Sequence, residues 1–351
     1  MRTAWPPIGI VLFVLVMMGC SSSTTAPPPQ NTFNFHTITN IGSIIDPTNG
    51  DRNPYGLSIA PVTAGLLTAG DLVVCDFNNS ANVQGTGTTV EYIHPAPGST
   101  VVRFAQGATL LGCGETATLP DDRVAVTAKV ANDVVIFNPS GTVQTTFSGA
   151  PFNGPWGATY AASATKPAIY VTNANDGSLV RINVTGPSSY TTETIATGFS
   201  FNGGAPGSIF APYGLAYNAA NDTLYIVESN SNKLIQIKNV SSVAAAGITV
   251  SAGDTVFGGP SGTSASVVFS GTPLNTPMGG ALLPNGDIAV ANTGDNLMVV
   301  LTPGGAVVGT LSLDAGAAGA LFSFAAALNT SAQQIVYFVD SNDNTVKFVG
   351  P

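Results

Sequence analysis

The sequence predicts an all-β fold, a six-bladed β-propeller of four-stranded antiparallel blades, and three observations carry that prediction. The 351 residues include 40 Gly and 24 Pro but only 10 Lys and Arg, and with 8% charged residues the chain cannot cover long solvated helices. No amphipathic helical stretch extends beyond one or two turns. One pattern recurs along most of the chain, and self-similarity of this kind marks a repeat architecture.

Each copy opens on a short apolar run behind a proline: "PYGLSI" from Pro54, "PWGATY" from Pro155, "PYGLAY" from Pro212 and "PMGGAL" from Pro277. A degraded "SFAAAL" starts at Ser323, and the place near "CGETATLPDDRVAV", from Cys113, keeps only the second half of the pattern. A second run then ends in small polar residues, as in "TLYIVESNSN" and "IVYFVDSNDN", and a third follows at once, as in "KLIQIKNV" and "TVKFVGP". With Gly56, Glu115, Gly157, Gly214, Gly279 and Ala325 as anchors, the spacings are 59, 42, 57, 65 and 46 residues, the size of a propeller blade. Three copies continue through a Pro/Gly turn into a fourth strand: "HPAPGSTVVRF", "NPSGTVQTTF" and "TPGGAVVGTL". The last copy stops at "VGP", which would leave an unpaired edge. The alternating segment Thr32 to Ile41 is expected to complete that sixth blade and close the ring, making 32–351 a single domain.

The N-terminus reads as a targeting segment: Arg2, an apolar stretch from Ile8 to Met18 too short for a stop-transfer helix, then "VMMGC". It resembles a bacterial lipoprotein signal over 1–19 with Cys20 as the lipidated residue; an ordinary signal peptide with an incidental Cys is the alternative. Residues 20–31, "CSSSTTAPPPQN", form a Ser/Thr/Pro tether. Ser21 after the Cys implies the outer membrane, so the expected location is the bacterial cell envelope, lipid-anchored, on the periplasmic or the exposed side. A net charge of −9 without any Lys/Arg cluster excludes nucleic acid as a partner.

The proline-aromatic-glycine starts and the polar strand ends together resemble NHL-type six-bladed propellers and the gluconolactonase-like proteins, over about Thr32 to Pro351. In such a meander, first strands begin and second strands end on one face, here called the upper face. The blade starts would bring Tyr55, Trp156, Tyr213, Met278 and Phe324 there. These are either a ligand platform or core wedged between blades. The polar strand ends would bring Asp76, Asn173, Glu228, Asn292 and Asp340. Asp and Asn at such places serve turns without any ligand, but Glu228 departs from the Asp/Asn pattern and Glu115 from the glycine pattern. In gluconolactonase-like proteins a metal sits in the channel on Glu, Asn and Asp. Carried over by position, the resemblance implies a calcium site on Glu115, Asn173, Glu228 and Asp340, although that family's first-blade Glu is matched here only by Leu57 and Ser58.

Cys75 and Cys113 fall near the same face of neighbouring blades in an oxidising compartment, as a disulfide or as two buried thiols. His36 and His94 are the only histidines and lie apart, which removes a Ser-His-Asp triad and a His-based zinc site. The glycines of "GGPSGTS" lack the Lys-Ser/Thr ending of a phosphate cradle. The leading expectation is a binding module for a protein, glycan or small-molecule ligand at the upper face. The alternative is a calcium-dependent lactonase-like hydrolase or lyase with an acidic site in the channel.

Overall fold

The computed structural model describes residue 1, residues 32–163 and residues 166–351, so Cys20 and the signal and tether segments lie outside the described residues save for Met1. Residues Phe33–Pro351 form one compact unit, built as a ring of six antiparallel blades. Blade 1 is Arg52–Ile59, Leu72–Asn78, Thr89–Ile93 and Val102–Gln106; blade 2 is Cys113–Thr118, Val124–Ala128, Asp133–Phe137 and Val143–Ser148. Blade 3 is Pro155–Ala161, Ala168–Asn173, Ser178–Gly186 and Ser189–Thr197; blade 4 is Pro212–Asn218, Thr223–Glu228, Lys233–Lys238 and Ala265–Ser270. Blade 5 is Pro277–Leu282, Ile288–Asn292, Leu297–Leu301 and Val307–Ser312. Blade 6 takes Leu321–Leu328, Gln334–Asp340 and Thr345–Gly350 from the C-terminus and its outer strand, Thr37–Ser43, from the N-terminal side of blade 1. Pairing runs from Thr37 opposite Gly350 to Ser43 opposite Thr345. The expected closure is therefore present, and it removes the edge that the truncated last copy would leave.

The long spacing between blades 4 and 5 has a local cause. Before its outer strand, blade 4 inserts a hairpin, Ile248–Ser251 with Val256–Gly258, that pairs in parallel with the outer strand of blade 3 through Ala196 opposite Ile248 and Thr197 opposite Thr249. Apolar clusters fill the wedges between neighbouring blades, and the one between blades 6 and 1 continues into the channel through Tyr55, Trp156, Tyr213 and Met278.

Register shows what the anchors do. Pro54, Pro155, Pro212, Pro277 and Leu321 pair with Asp76, Asn173, Glu228, Asn292 and Asp340 respectively. Two residues on from each of the first four lies a glycine, and a side chain there would strike the neighbouring inner strand. A Cβ on Gly157 would sit 1.7 Å from the Tyr213 carbonyl oxygen, and on Gly214 or Gly279 it would sit 2.4 Å from the Met278 or Phe322 oxygen. The glycines thus let the inner strands close into a tight collar. Leu321, not Ser323, matches the prolines, so the sixth anchor is Ser323 rather than Ala325, and the residue matching Tyr55 is Phe322 rather than Phe324. A two-residue slip preserves strand alternation and therefore leaves no trace in the hydrophobic pattern.

The polar strand ends join the blades. The residue just before the third strand is left-handed in five blades, as Asn132, Gly177, Asn232, Asn296 and Asn344, a conformation that Gly and Asn tolerate. The four asparagines each accept, on Oδ1, a main-chain N–H at the start of the next blade, from the residue just before Pro155, Pro277, Leu321 or Pro54: Gly154 at 2.6 Å, Thr276 at 2.6 Å, Ala320 at 3.0 Å and Asn53 at 2.9 Å. Blades 1 and 2 are joined covalently as well, by a Cys75–Cys113 disulfide with 5.7 Å between Cα atoms.

Candidate functional site

An aromatic septum divides the channel in two. Tyr55 from blade 1 stacks between Phe322 and Phe77, with ring centroids 3.7 and 4.3 Å away, and Trp156 from blade 3 lies 5.5 Å from Tyr55 and 5.0 Å from Tyr213. Tyr213, from blade 4, crosses to blade 2 and donates its hydroxyl hydrogen to the Gly114 carbonyl at 2.8 Å. The tilted contacts of Trp156 with Tyr55 and Tyr213 contribute beyond their buried area. Complete burial pushes the Tyr213 hydroxyl pKa well above the ordinary tyrosine range, so it stays a donor.

Above the septum is a cavity of about 390 Å³ floored by Tyr55, Trp156, Met278 and Phe322 and walled by Ile209 and Phe210. Gln84 and Gly207 lie in its rim; they belong to two loops, from blade 1 and from the blade 3 to blade 4 connection, that touch at Gly85 and Pro206. The indole N–H of Trp156 is buried and has no hydrogen-bond partner, which is costly unless something supplies an acceptor.

Below the septum, at the other mouth, a cavity of about 270 Å³ is lined by Glu115, Thr116, Ser323, Tyr160, Tyr217 and Phe324, among others. Glu115 Oε1 accepts the Leu57 and Thr116 main-chain N–H groups at 2.8 and 3.0 Å, and Oε2 accepts the Ser323 hydroxyl at 3.0 Å. Burial raises its pKa to about 8 against these bonds, which act in the opposite direction. At neutral pH the group is therefore mostly a neutral carboxylic acid.

Of the predicted ligand platform, Tyr55, Trp156 and Met278 do floor the upper cavity. Tyr213 lies in the septum behind them, and Phe324 lines the lower cavity, its place above being taken by Phe322. Phe322 was concealed because blade 6 lacks both the proline and the glycine of the motif.

The four residues expected to hold calcium do not converge. Glu115 lines the lower cavity; Asn173 donates from Nδ2 to the Pro151 carbonyl at 2.9 Å and to Ser178 Oγ at 2.8 Å. Glu228 folds back on its own turn, accepting the Asn230 and Ser231 N–H groups, while burial raises its pKa to about 7. Asp340 is paired with Lys347 at 2.6 Å. These three side chains are taken up by blade turns, a neighbouring strand and the connections between blades, and none of them lines either channel cavity. Among the described residues no group of three His, Cys, Asp or Glu side chains is placed to hold a metal ion, so this set does not fit calcium.

These features define a six-bladed β-propeller whose channel is closed midway by its own aromatic side chains. The fold is that of gluconolactonase-like and regucalcin-type propellers. A gluconolactonase from Xanthomonas campestris superposes with a TM-score of 0.59 at 12% identity, over 91% of this chain and 99% of that one. The calcium-binding protein regucalcin from Agrobacterium tumefaciens gives 0.56 at 14% identity, over 89% and 94%. Virginiamycin B lyase from Staphylococcus aureus gives 0.54 at 14% identity, over 90% and 99%. At these identities the likeness is one of fold. No protein-family profile matches the chain, and a search of curated proteins finds no match.

Proposed function

We propose that the protein is a lipid-anchored propeller of the bacterial cell envelope that binds a small, largely apolar ligand in the upper cavity. The observation that supports this reading is the chemistry of the floor: three aromatic rings and a methionine, with Asn53, Gln84, Thr276 and Thr293 also lining the cavity. Such a concave site, with an aromatic floor and polar side chains beside it, suits a small molecule better than a flat protein surface. A protein or glycan partner would instead seat a side chain or sugar ring on the same floor.

The mature chain retains a single tryptophan, Trp156, so indole fluorescence reports directly on this cavity. Titration with 8-anilinonaphthalene-1-sulfonate should quench it saturably. Phe210→Asp, at a wall residue that is 37% exposed, should weaken that binding at least tenfold, about the worth of one lost aromatic contact, without lowering Tm. Equal binding by the variant would place the probe elsewhere and defeat the reading. For the anchor, radiolabelled palmitate should enter the wild-type protein and not Cys20→Ala; a wild-type protein that takes up no label would leave an ordinary signal peptide.

A second reading, a lactonase-like hydrolase or lyase, is favoured by one observation: the neutral acid Glu115 beside the Ser323 hydroxyl in the lower cavity. A carboxylic acid with its pKa raised into this range is suited to general acid chemistry. This version uses no metal from the set tested above.

A further inference from the structure

Blades 1 and 6 carry the same polar framework with one charge reversed. In blade 6, Asp340 lies opposite Thr345, and Lys347 lies opposite Phe338 on the same face of the sheet. Lys347 Nζ binds Asp340 Oδ2 at 2.6 Å and Asp343 Oδ2 at 2.7 Å, while Thr345 donates its hydroxyl hydrogen to Asp343. In blade 1, Asp76 takes the place of Asp340, since Pro54 pairs with Asp76 as Leu321 pairs with Asp340. Glu91 takes the place of Lys347: it lies opposite Val74, two residues before Asp76. Thr89 takes the place of Thr345 and donates to Asp51 at 3.1 Å. Where blade 6 has an ammonium between carboxylates, blade 1 has another carboxylate.

Among the described residues nothing neutralises it. Asp76 and Glu91 are fully buried, and none of their four carboxylate oxygens has a hydrogen-bond partner among the described residues. The Thr89 hydroxyl lies close enough to favour the charged form of Glu91 but donates to Asp51, whose Oδ2 also takes the Thr88 N–H at 2.8 Å. Of the neighbouring cations, Arg103 is held by Asp46 at 2.6 and 2.8 Å, and Arg52 donates to the Gly50 carbonyl at 3.4 Å and reaches Asp76 only through space. Asp46 and Asp51 add negative potential to the same spot. Buried charge without a counter-charge or donors is among the costliest arrangements in a folded chain.

We propose that blade 1 binds one calcium ion between Asp76 and Glu91, at the place that Lys347 Nζ occupies in blade 6. The donors are hard oxygens with no imidazole or thiolate among them, which suits calcium and not zinc or copper. Four carboxylate oxygens are half or more of the six to eight that calcium takes, and two carboxylates balance its charge. The site is structural: it lies within a blade, apart from both channel cavities, and stands or falls independently of the ligand reading above.

The test uses chelator-treated protein at pH 7.5, equilibrium dialysis with calcium chloride and thermal unfolding. Wild type should bind one calcium per chain and gain Tm with added calcium, as any ligand of the native state requires. Glu91→Gln should lose at least tenfold in calcium affinity. Glu91→Lys, which rebuilds the blade 6 ion pair, should bind none and keep its Tm unchanged by calcium or chelator. A wild-type protein that binds no calcium at millimolar concentration, with a Tm indifferent to it, would overturn the proposal and leave Asp76 and Glu91 as a pair of neutral acids. Calcium bound equally well by wild type and Glu91→Gln would overturn it too, by placing the ion elsewhere; that arm holds even where the lysine variant fails to fold.

Discussion

The two ends of the channel are built from the same six inner strands and differ by a shift of one residue along them. One step above the glycine collar the side chains are Tyr55, Trp156, Tyr213, Met278 and Phe322, four rings and a thioether packed in one cluster. At the collar itself the side chains are absent except at Glu115 and Ser323, which bond to each other at 3.0 Å. The strands can approach closely only where they carry no Cβ, and that approach brings the large residues one step above into contact across the axis. The septum is thus a consequence of the collar. The carboxyl below it is tolerated because blade 6, which breaks the glycine rule as blade 2 does, supplies the hydroxyl that meets it.

The sharpest way to break this arrangement is Gly157→Ala. The new Cβ would lie 1.7 Å from the Tyr213 main-chain oxygen and 3.0 Å from Thr172 Oγ1, and a main-chain atom of a neighbouring blade cannot step aside. Loss of more than about 4 kcal/mol is expected, in the range reserved for severe overpacking, read as a collapsed urea midpoint or as no folded protein. Gly304→Ala, whose Cβ would have only Thr302 Oγ1 at 3.8 Å, should stay within about 0.5 kcal/mol of wild type. Similar midpoints for the two variants would show that the collar does not hold the inner strands together.

Much of this was legible in the residues. Repetition of the proline-aromatic-glycine start announced the blades, and the missing fourth strand after "VGP" announced a closure by the segment before blade 1, expected over Thr32 to Ile41 and found as Thr37–Ser43, because an unpaired edge needs a partner. The polar strand ends looked like ligands and serve as joints: only the final asparagine of each, left-handed and bonded to the next blade, shows why the chemistry repeats, and that bond spans sequence separations such as the 44 residues from Asn232 to Thr276. Phe322 was hidden because a two-residue slip keeps every side chain on its face. Glu115 stood out from the sequence as an oddity in the glycine column, but its depth depends on how closely six strands converge, which no local pattern encodes. The likeness of Asp76 and Glu91 to Asp340 and Lys347 is a matter of register between blades, readable only once the strands are paired.

The lower end is sharpened by Glu115→Gln, an effect smaller than loss of the collar and dependent on pH. The native carboxyl has its pKa raised to about 8, whereas in the unfolded chain it returns to about 4.3. The native state therefore holds the proton more tightly, and the stability this confers is complete below about pH 4 and is lost as pH rises towards 8. Glutamine keeps a carbonyl for the Leu57 and Thr116 N–H groups and an amide for the Ser323 oxygen, and it does not ionise. Wild type and variant should thus have similar Tm values near pH 4 and separate steadily above it. By pH 8.5 the variant should be the more stable by on the order of a few kcal/mol. Curves that stay parallel from pH 4 to 8.5 would mean that water reaches the carboxyl from the lower mouth and keeps its pKa ordinary. The same variant weighs the catalytic reading: hydrolysis of a sugar lactone by wild type, lost in a Glu115→Gln protein of undiminished Tm, would make the lower cavity the working end of the channel and the aromatic septum its back wall.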